Sequence, residues 1–236
     1  MRIADGLHRI GNEIVACYLV EDTSGLTLVD AGLPGQWREL VAELGAMGCE
    51  VSDIRAVVLT HGDEDHIGFA ERLRRDHGIP VLVHGADAGR ARGEGKPSTP
   101  WGSWRLGPAL RFLAYAARRG GLRAAPLTEV ATFEAGEVLD VPGDPRVIGM
   151  PGHSPGSVAL HFPRARAVMV GDALTTRHVL TGAEGPAPAP FTDAPAQAAS
   201  SLDALAGLDV DWVLPGHGEP WSGGVEELVR QYRAAS

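Results

Sequence analysis

Two imidazoles and three carboxylates fall within the six residues His61-Gly62-Asp63-Glu64-Asp65-His66. Imidazole nitrogen and carboxylate oxygen suit zinc, iron or manganese, and a tight loop after a strand lets residues at i, i+2, i+4 and i+5 converge on one small volume. Read alone, the stretch has a plainer alternative: a solvated acidic turn with Asp65 capping a helix. Three later segments weigh against that alternative. Pro151-Gly152-His153-Ser154-Pro155-Gly156, Val170-Gly171-Asp172-Ala173 and Pro215-Gly216-His217-Gly218 each set one His or Asp beside glycine or proline at the end of a predicted strand. Glycine lets backbone approach a buried site closely, and strand ends along one edge of an α/β protein are where such sites collect.

The elements that must position these residues follow from periodicity. Cys17 to Val20 and Leu26 to Val29 are short, apolar and partly β-branched, with Thr23-Ser24-Gly25 between them, and predict a hairpin. Trp37, Leu40, Val41, Leu44 and Met47 recur at helical spacing, and Arg55 to Thr60 reads as a buried strand. The polar cluster then sits on a strand-to-helix loop, because Ile67, Ala70 and Leu73 repeat as one helical face after it. Val81 to His84 is a further strand. The second half repeats the alternation, with strands at Val147 to Met150, Ser157 to Phe162, Ala167 to Val170 and Trp212 to Leu214. Helices are expected over Pro195 to Ala206 and Gly224 to Tyr232.

Gly89 to Arg123 interrupts this pattern and carries a local charge of +7 in a chain whose net charge is -9. It reads as an inserted helical segment with two roles open. As an amphipathic cap, Leu106, Leu110 and Leu113 pack down while Arg105, Arg111 and Arg118 face water. As a lid, Trp101, Trp104, Arg105 and Arg111 line the substrate pocket, with His178 reaching it from the second half, and suit an apolar acyl substrate bearing an anionic group.

The acidic balance argues against nucleic-acid binding. Met1 to Ile10 has no continuous apolar stretch, and no run approaches the roughly 20 apolar residues of a membrane span, so a soluble cytoplasmic protein is expected. Cys17 and Cys49 belong to no Cys-x-x-Cys pair and read as buried free thiols. Glu64 reads as solvated. His8, His77, His84 and His161 read as structural or exposed, with His84, like His178, near enough to a strand end to face the site.

The loop, followed by His153, Asp172 and His217, resembles the metallo-β-lactamase superfamily, in particular its glyoxalase II-like and lactonase-like branch. That family's pattern is a His-x-His-x-Asp-His loop, a distant His, a bridging Asp and a last His. Leu28-Val29-Asp30-Ala31-Gly32 is similar to its early strand and supporting Asp. The resemblance covers nearly the whole chain. It implies an α/β fold, the four-layer αβ/βα sandwich, as one domain over 1–236 with its active site at one edge between two sheets and the insertion at 89–123.

The resemblance also implies a ligand set: His61, Asp63 and His153 at one metal, Asp65, His66 and His217 at the second, Asp172 bridging and Asp30 supporting a ligand from behind. Asp63 stands where the family has its second histidine. A carboxylate is harder and anionic, which moves preference from zinc toward iron or manganese, and the family's diiron oxidoreductases place a glutamate there. Those usually carry a flavodoxin domain, and none is expected here. Two divalent ions are expected, zinc first, with iron or manganese open because of Asp63. Such a pair would lower the pKa of a bridging water to roughly 7, so that hydroxide attacks an ester, thioester or lactone of a small-molecule substrate, anionic if the insertion is a lid, with Asp65 holding the nucleophile and moving its proton. β-Lactam cleavage ranks lower. The alternatives are an iron-dependent oxidoreductase acting on oxygen or a persulfide, and a catalytically silent binding protein.

Overall fold

Period-two alternation decides which side of each strand meets which layer. The computed structural model describes residues 1–95, 102–121 and 124–235. Seven strands follow chain order across the first sheet: β1 (Arg2–Ala4), β2 (Leu7–Gly11), β3 (Ala16–Asp22), β4 (Gly25–Val29), β5 (Ile54–Val58), β6 (Val81–His84) and β7 (Ala131–Phe133). The pairs β1 to β4 are antiparallel, and β4 to β7 are parallel. A second sheet has β8 (Arg146–Gly149), β9 (Val158–Phe162) and β10 (Ala167–Gly171) antiparallel, then β13 (Trp212–Pro215) parallel to β10. The remaining pair, β11 (Thr175–Arg177) and β12 (Glu184–Ala187), forms a separate ribbon.

Alternate residues feed different cores. Tyr18, Val20 and Val58 of the first sheet and Leu160, Phe162 and Met169 of the second share one cluster, so the two sheets face each other there. Their neighbours in sequence point outward. Cys17, Leu19 and Val57 meet Leu40 and Leu44 of helix α1 (Trp37–Met47) and Leu73 of α3 (Ala70–His77). On the far side, Ala159, Val168 and Val213 meet Leu202, Leu205 and the helix α7 (Val225–Ala235) through Leu228 and Tyr232. Helix, sheet, sheet and helix make the four-layer sandwich.

Several boundaries differ from the sequence reading for local reasons. The expected helix through Ile67 and Leu73 is broken into α2 (Glu64–Ile67) and α3, because the amides of Gly68 and Phe69 turn aside to the carbonyls of Gly32 and Ala31. A Cβ on Gly68 would lie 2.2 Å from Gly32 O, so this crossing requires glycine. The polar cluster is therefore part loop and part helix: Asp63 occupies the cap position, and Asp65 and His66 lie on α2 itself. The helix expected over Pro195 to Ala206 is α6 (Pro195–Ser201) followed by a 3₁₀ turn, Leu202–Leu205. Strands β1, β2, β7, β11 and β12 are absent from the sequence reading, being short or interrupted by glycine and proline. Cys17 is buried as expected, but Cys49 is only half-buried.

The insertion supplies α4 (Ala88–Ala91) and α5 (Leu106–Arg118). Its packing face is rotated from the one expected. Ala109 is buried, and Phe112, Tyr115 and Ala116 pack against Ile14, Leu33, Val179 and Leu180. Leu106, Leu110 and Leu113 are instead 67%, 56% and 41% exposed. The i, i+3, i+7 set 109, 112, 116 is the one turned toward Ile14, Leu33, Val179 and Leu180, and it places the Phe112 ring edge-on to His217.

Gln36, fully buried, fastens this edge. Its Oε1 accepts from Leu33 N at 2.7 Å and its Nε2 donates to Val15 O at 2.9 Å, tying the β4–α1 crossing to the start of β3. Gln36→Leu leaves Leu33 N buried and unpaired and removes one of the two donors to Val15 O, which keeps Asn12 N at 3.1 Å. It is expected to destabilise the protein by about 1–3 kcal/mol for the orphaned amide, read from urea unfolding midpoints at constant slope. An unchanged midpoint would refute this role.

Candidate metal centre

The site forms where β4, β5, β10 and β13 end on the same edge of the two sheets. β5 delivers Thr60 and His61, α2 delivers Asp65 and His66, the loop after β8 delivers His153, the end of β10 delivers Asp172, and the turn after β13 delivers His217. Glycine makes this convergence feasible. A Cβ on Gly216 would sit 2.5 Å from His66 Cε1 and 2.6 Å from Asp172 Oδ1, and one on Gly171, whose φ is +51°, would strike Thr60 Oγ1.

Each of the four imidazoles is anchored through Nδ1. His61 Nδ1 meets Thr60 Oγ1 at 3.0 Å, His66 Nδ1 meets Asp30 Oδ2 at 2.9 Å, His153 Nδ1 meets Thr192 Oγ1 at 3.2 Å, and His217 Nδ1 hydrogen-bonds Ile14 O. All four rings therefore present Nε2 to the same small volume. Asp30, at φ +60°, turns its carboxylate back into the sandwich, where Oδ1 accepts from Thr60 N and Oδ2 from Thr60 Oγ1, both at 2.8 Å. One carboxylate thus orients His66 directly and His61 through Thr60.

The inward atoms form three overlapping groups, His61 with Asp63 and His153, Asp65 with His66 and His217, and His61 with His66 and Asp172, each with its ligand atoms within 4.8 Å of one another. Asp172 lies between the two histidine pairs. Its Oδ2 is 3.1 Å from His217 Nε2 and 3.8 Å from His153 Nε2, and its Oδ1 is 3.5 Å from His66 Nε2. His61 Nε2, His66 Nε2 and Asp172 Oδ1 are buried without a hydrogen-bond partner. Buried polar atoms left unpaired are costly, so their convergence fits a cage for cations.

Electrostatics point the same way. Burial alone would push Asp63 and Asp172 up, yet both are held well below the usual carboxylate range, Asp63 by His153, His61 and Arg90 and Asp172 by His217 and His66. Burial lowers the histidines, but Asp30 and Asp172 pull His66 up to about 10, and Asp172 pulls His217 up to about 9. His61 stays well below its ordinary value, from burial and then from His66 and His153. The carboxylates thus demand positive charge, which protonated imidazoles or cations can supply.

Asp63 departs from the simple picture of a ligand free to turn toward metal. Its Oδ2 lies 3.3 Å from His153 Nε2 and 3.9 Å from His61 Nε2, but both oxygens are also taken by Arg90, at 2.5 Å from Nε to Oδ1 and 3.0 Å from Nη2 to Oδ2.

The expected pocket residues divide. Trp101 lies outside the described residues. Trp104 is 57% exposed and Arg105 is also on the surface. Arg111 pairs with Glu13 and lines a cavity of about 110 Å³ with Ile14, Pro108, Phe112, Arg177 and Val179. That cavity adjoins the centre, since Phe112 packs edge-on to His217 at 6.4 Å. His178 is tied into a turn by Thr181 N, and His84 caps its own turn through Ala86 N. Glu64 is exposed, as expected. The charge of the insertion is partly neutralised at source, because Arg90, Arg92, Arg111 and Arg119 all have carboxylate partners.

Sequence reasoning missed the residues that hold the ligands. Asp87, fully buried, accepts from Gly62 N at 2.9 Å, Ser154 Oγ at 2.6 Å and Gly156 N at 2.7 Å. It clamps the loop of His61 to the loop of His153. Thr192 and Arg90 were missed too, since nothing in their local sequence sets them apart.

The fold and the converging imidazoles define a metallo-hydrolase-like α/β sandwich, and the chain belongs to the metallo-beta-lactamase superfamily, whose family profile matches residues 10–217. It is 29% identical to the probable metallo-hydrolase YflN of Bacillus subtilis, covering 93% of this chain and 86% of that protein. Among solved structures, the metallo-beta-lactamase family protein TTHA1429 from Thermus thermophilus superposes with a TM-score of 0.71 at 24% identity, over 99% of this chain and 81% of the other. TTHA1623, solved in a di-iron-bound form, gives 0.63 at 26% identity, over 96% and 98%.

Asp30→Ala removes the acceptor that orients His66 and, through Thr60, His61. Such losses behind a ligand cost about 10- to 100-fold in metal affinity. Zinc titration against a chromophoric chelator should show that weakening, and an unchanged affinity would exclude the orienting role.

Proposed function

We propose that the protein is a dinuclear metal-dependent hydrolase of an ester, thioester or lactone. The observation that carries this reading is the set of four imidazoles, all anchored through Nδ1, whose Nε2 atoms surround the single carboxylate of Asp172. Ligands His61, Asp63 and His153 would hold one cation, and Asp65, His66 and His217 the other, with Asp172 shared. Divalent cations bound there supply Lewis acidity, which brings the pKa of a water to roughly 7 and polarises a substrate carbonyl.

The chain's own groups have separable tasks. Asp65 is the least buried of the seven, its side chain 24% exposed, with Oδ2 3.5 Å from His217 Nε2 and Oδ1 4.0 Å from His66 Nε2. It therefore touches both the centre and solvent, as a group that accepts a proton from the nucleophile and passes it on must do. Phe112, Ile14 and Val179 offer an apolar wall to an acyl group, and Arg111 and Arg177, paired with Glu13 and Glu184, line the same cavity and would hold a substrate carboxylate or phosphate only by exchanging those partners. Among the described residues no helix is long and apolar enough to cross a membrane, which fits action on a small dissolved molecule.

Iron-dependent redox chemistry is the competing reading, favoured by the hard ligand Asp63 and by the di-iron form of TTHA1623. Metal analysis with a substrate panel separates the two. Hydrolysis of at least one ester, thioester or lactone by the zinc-loaded protein supports the hydrolase. Oxygen consumption with a persulfide by the iron-loaded protein, and hydrolysis of none, would replace it. Asp172→Ala is expected to lower occupancy from two metals per chain at both positions, measured by elemental analysis after desalting. Retention of two metals in that variant would overturn the shared-ligand assignment.

A further inference from the structure

Arg90 stands on α4, a four-residue helix at the start of the insertion, yet its side chain is only 6% exposed and its carboxylate partners belong to the metal centre and its support. Nε and Nη2 form a two-pronged grip on Asp63. Nη1 reaches in another direction to Asp193 Oδ2 at 2.7 Å. Asp193 in turn donates its backbone N–H to His153 O at 3.1 Å, and its neighbour Thr192 fixes His153 Nδ1. Two members of the first ligand group, Asp63 and His153, are therefore oriented through one guanidinium.

The grip has a chemical consequence for Asp63. A free carboxylate can present either oxygen or both. Here Oδ1 is turned to Nε, while Oδ2 accepts from Nη2 at 3.0 Å on one side and on the other faces His153 and His61, so it is the oxygen directed at the cage. A histidine would offer a single neutral nitrogen at this position. With Arg90 against it, Asp63 offers a single oxygen whose charge is offset by the guanidinium. Lysine could not do this, since a point charge lacks the planar fork that serves two carboxylates at once.

We propose that Arg90 is a positioning residue for the first metal, restricting Asp63 to bind through Oδ2 and offsetting its charge, so that Asp63 and Arg90 together replace one imidazole. The pair is then a unit. Replacing Asp63 alone by histidine leaves a buried guanidinium facing an imidazole and a cation, and weakens binding instead of simply shifting preference toward zinc. Replacing both restores a neutral one-atom donor with no cation behind it.

This inference rests on the proposed two-metal centre, and the test separates the two. Metal-stripped protein is titrated with zinc against a chromophoric chelator, giving a Kd for each site, for wild type, Arg90→Gln, Arg90→Lys, Asp63→His and Asp63→His/Arg90→Gln. Near-ultraviolet circular dichroism of each stripped protein checks its fold. Arg90→Gln is expected to weaken the first site by about 10- to 100-fold, as removal of a ligand's supporting partner does, with Arg90→Lys also weakened. In the Asp63→His background the same Arg90→Gln change should tighten the first site. That reversal is the decisive readout, because a merely structural arginine would cost affinity in both backgrounds. Equal weakening in both, or an unchanged Kd in Arg90→Gln, overturns the proposal while two zinc sites in wild type leave the metal centre standing. Wild type that takes up no zinc or iron overturns both. If Arg90→Gln does not fold, Arg90→Lys and the double variant carry the comparison, and loss of fold in those too would assign Arg90 to the scaffold and refute its metal role.

Discussion

Four imidazoles cannot be buried around carboxylates unless each ring is held from behind, and the remainder of the site is organised by that constraint. Thr60, Asp30, Thr192 and the Ile14 carbonyl take the Nδ1 atoms, and each comes from a different stretch of chain. The consequence is one tautomeric preference shared by all four rings, with Nε2 directed at the cage. A site assembled in this way leaves buried atoms of His61, His66 and Asp172 without a hydrogen-bond partner from the chain itself. Glycine at 216 and 171 is the backbone's part of the same arrangement, because a side chain at 216 would occupy the space of His66 and Asp172, and one at 171 the space of Thr60.

The segments that converge on the candidate centre were legible in the sequence because they have a local signature: a strand's apolar run stops, glycine or proline follows, and one His or Asp stands beside it. The sandwich was an expectation from the family resemblance, and the structure accounts for it by alternation, since Tyr18 and Leu19 or Val168 and Met169 separate into different cores as a two-residue period requires. What could not be read was anything set by contacts between distant segments. Asp87 looks like an ordinary residue after a strand, and its role exists only because Gly62, Ser154 and Gly156 approach it in space. The face of α5 was misjudged for the same reason. Leucines at 106, 110 and 113 satisfy a helical period as well as Ala109, Phe112 and Ala116 do, and only the shape of the gap near Ile14 and Val179 decides between them.

The short 85–91 segment changes the meaning of the insertion. Sequence alone suggests a cap or lid added beside a finished site, whereas Asp87 and Arg90 are fastened to the site's own loops. Its positive charge likewise resembles a surface property until ion pairs account for much of it. The adjoining cavity, with Phe112 against His217, shows α5 reaching the same centre from its other end. Segments on both flanks of residues 96–101 thus take part in shaping the pocket.

The distribution of ligands over both halves of the chain bears on when a cation can be captured. His61, Asp63, Asp65 and His66 hang from the first sheet, and His153, Asp172 and His217 from the second, so neither ligand group exists before the sheets dock. His217 further requires β13 in its parallel register with β10. On the proposed reading, capture would follow assembly of the hydrophobic interface and not direct it, unlike small domains that a cation folds. Ions held there, on the proposed two-metal reading, would act as a rivet between the two sheets. Because they would bind the assembled state and not the unfolded one, the grip of that rivet would rise with free-metal concentration by mass action, making the half-life of the folded protein a gauge of the metal supply around it.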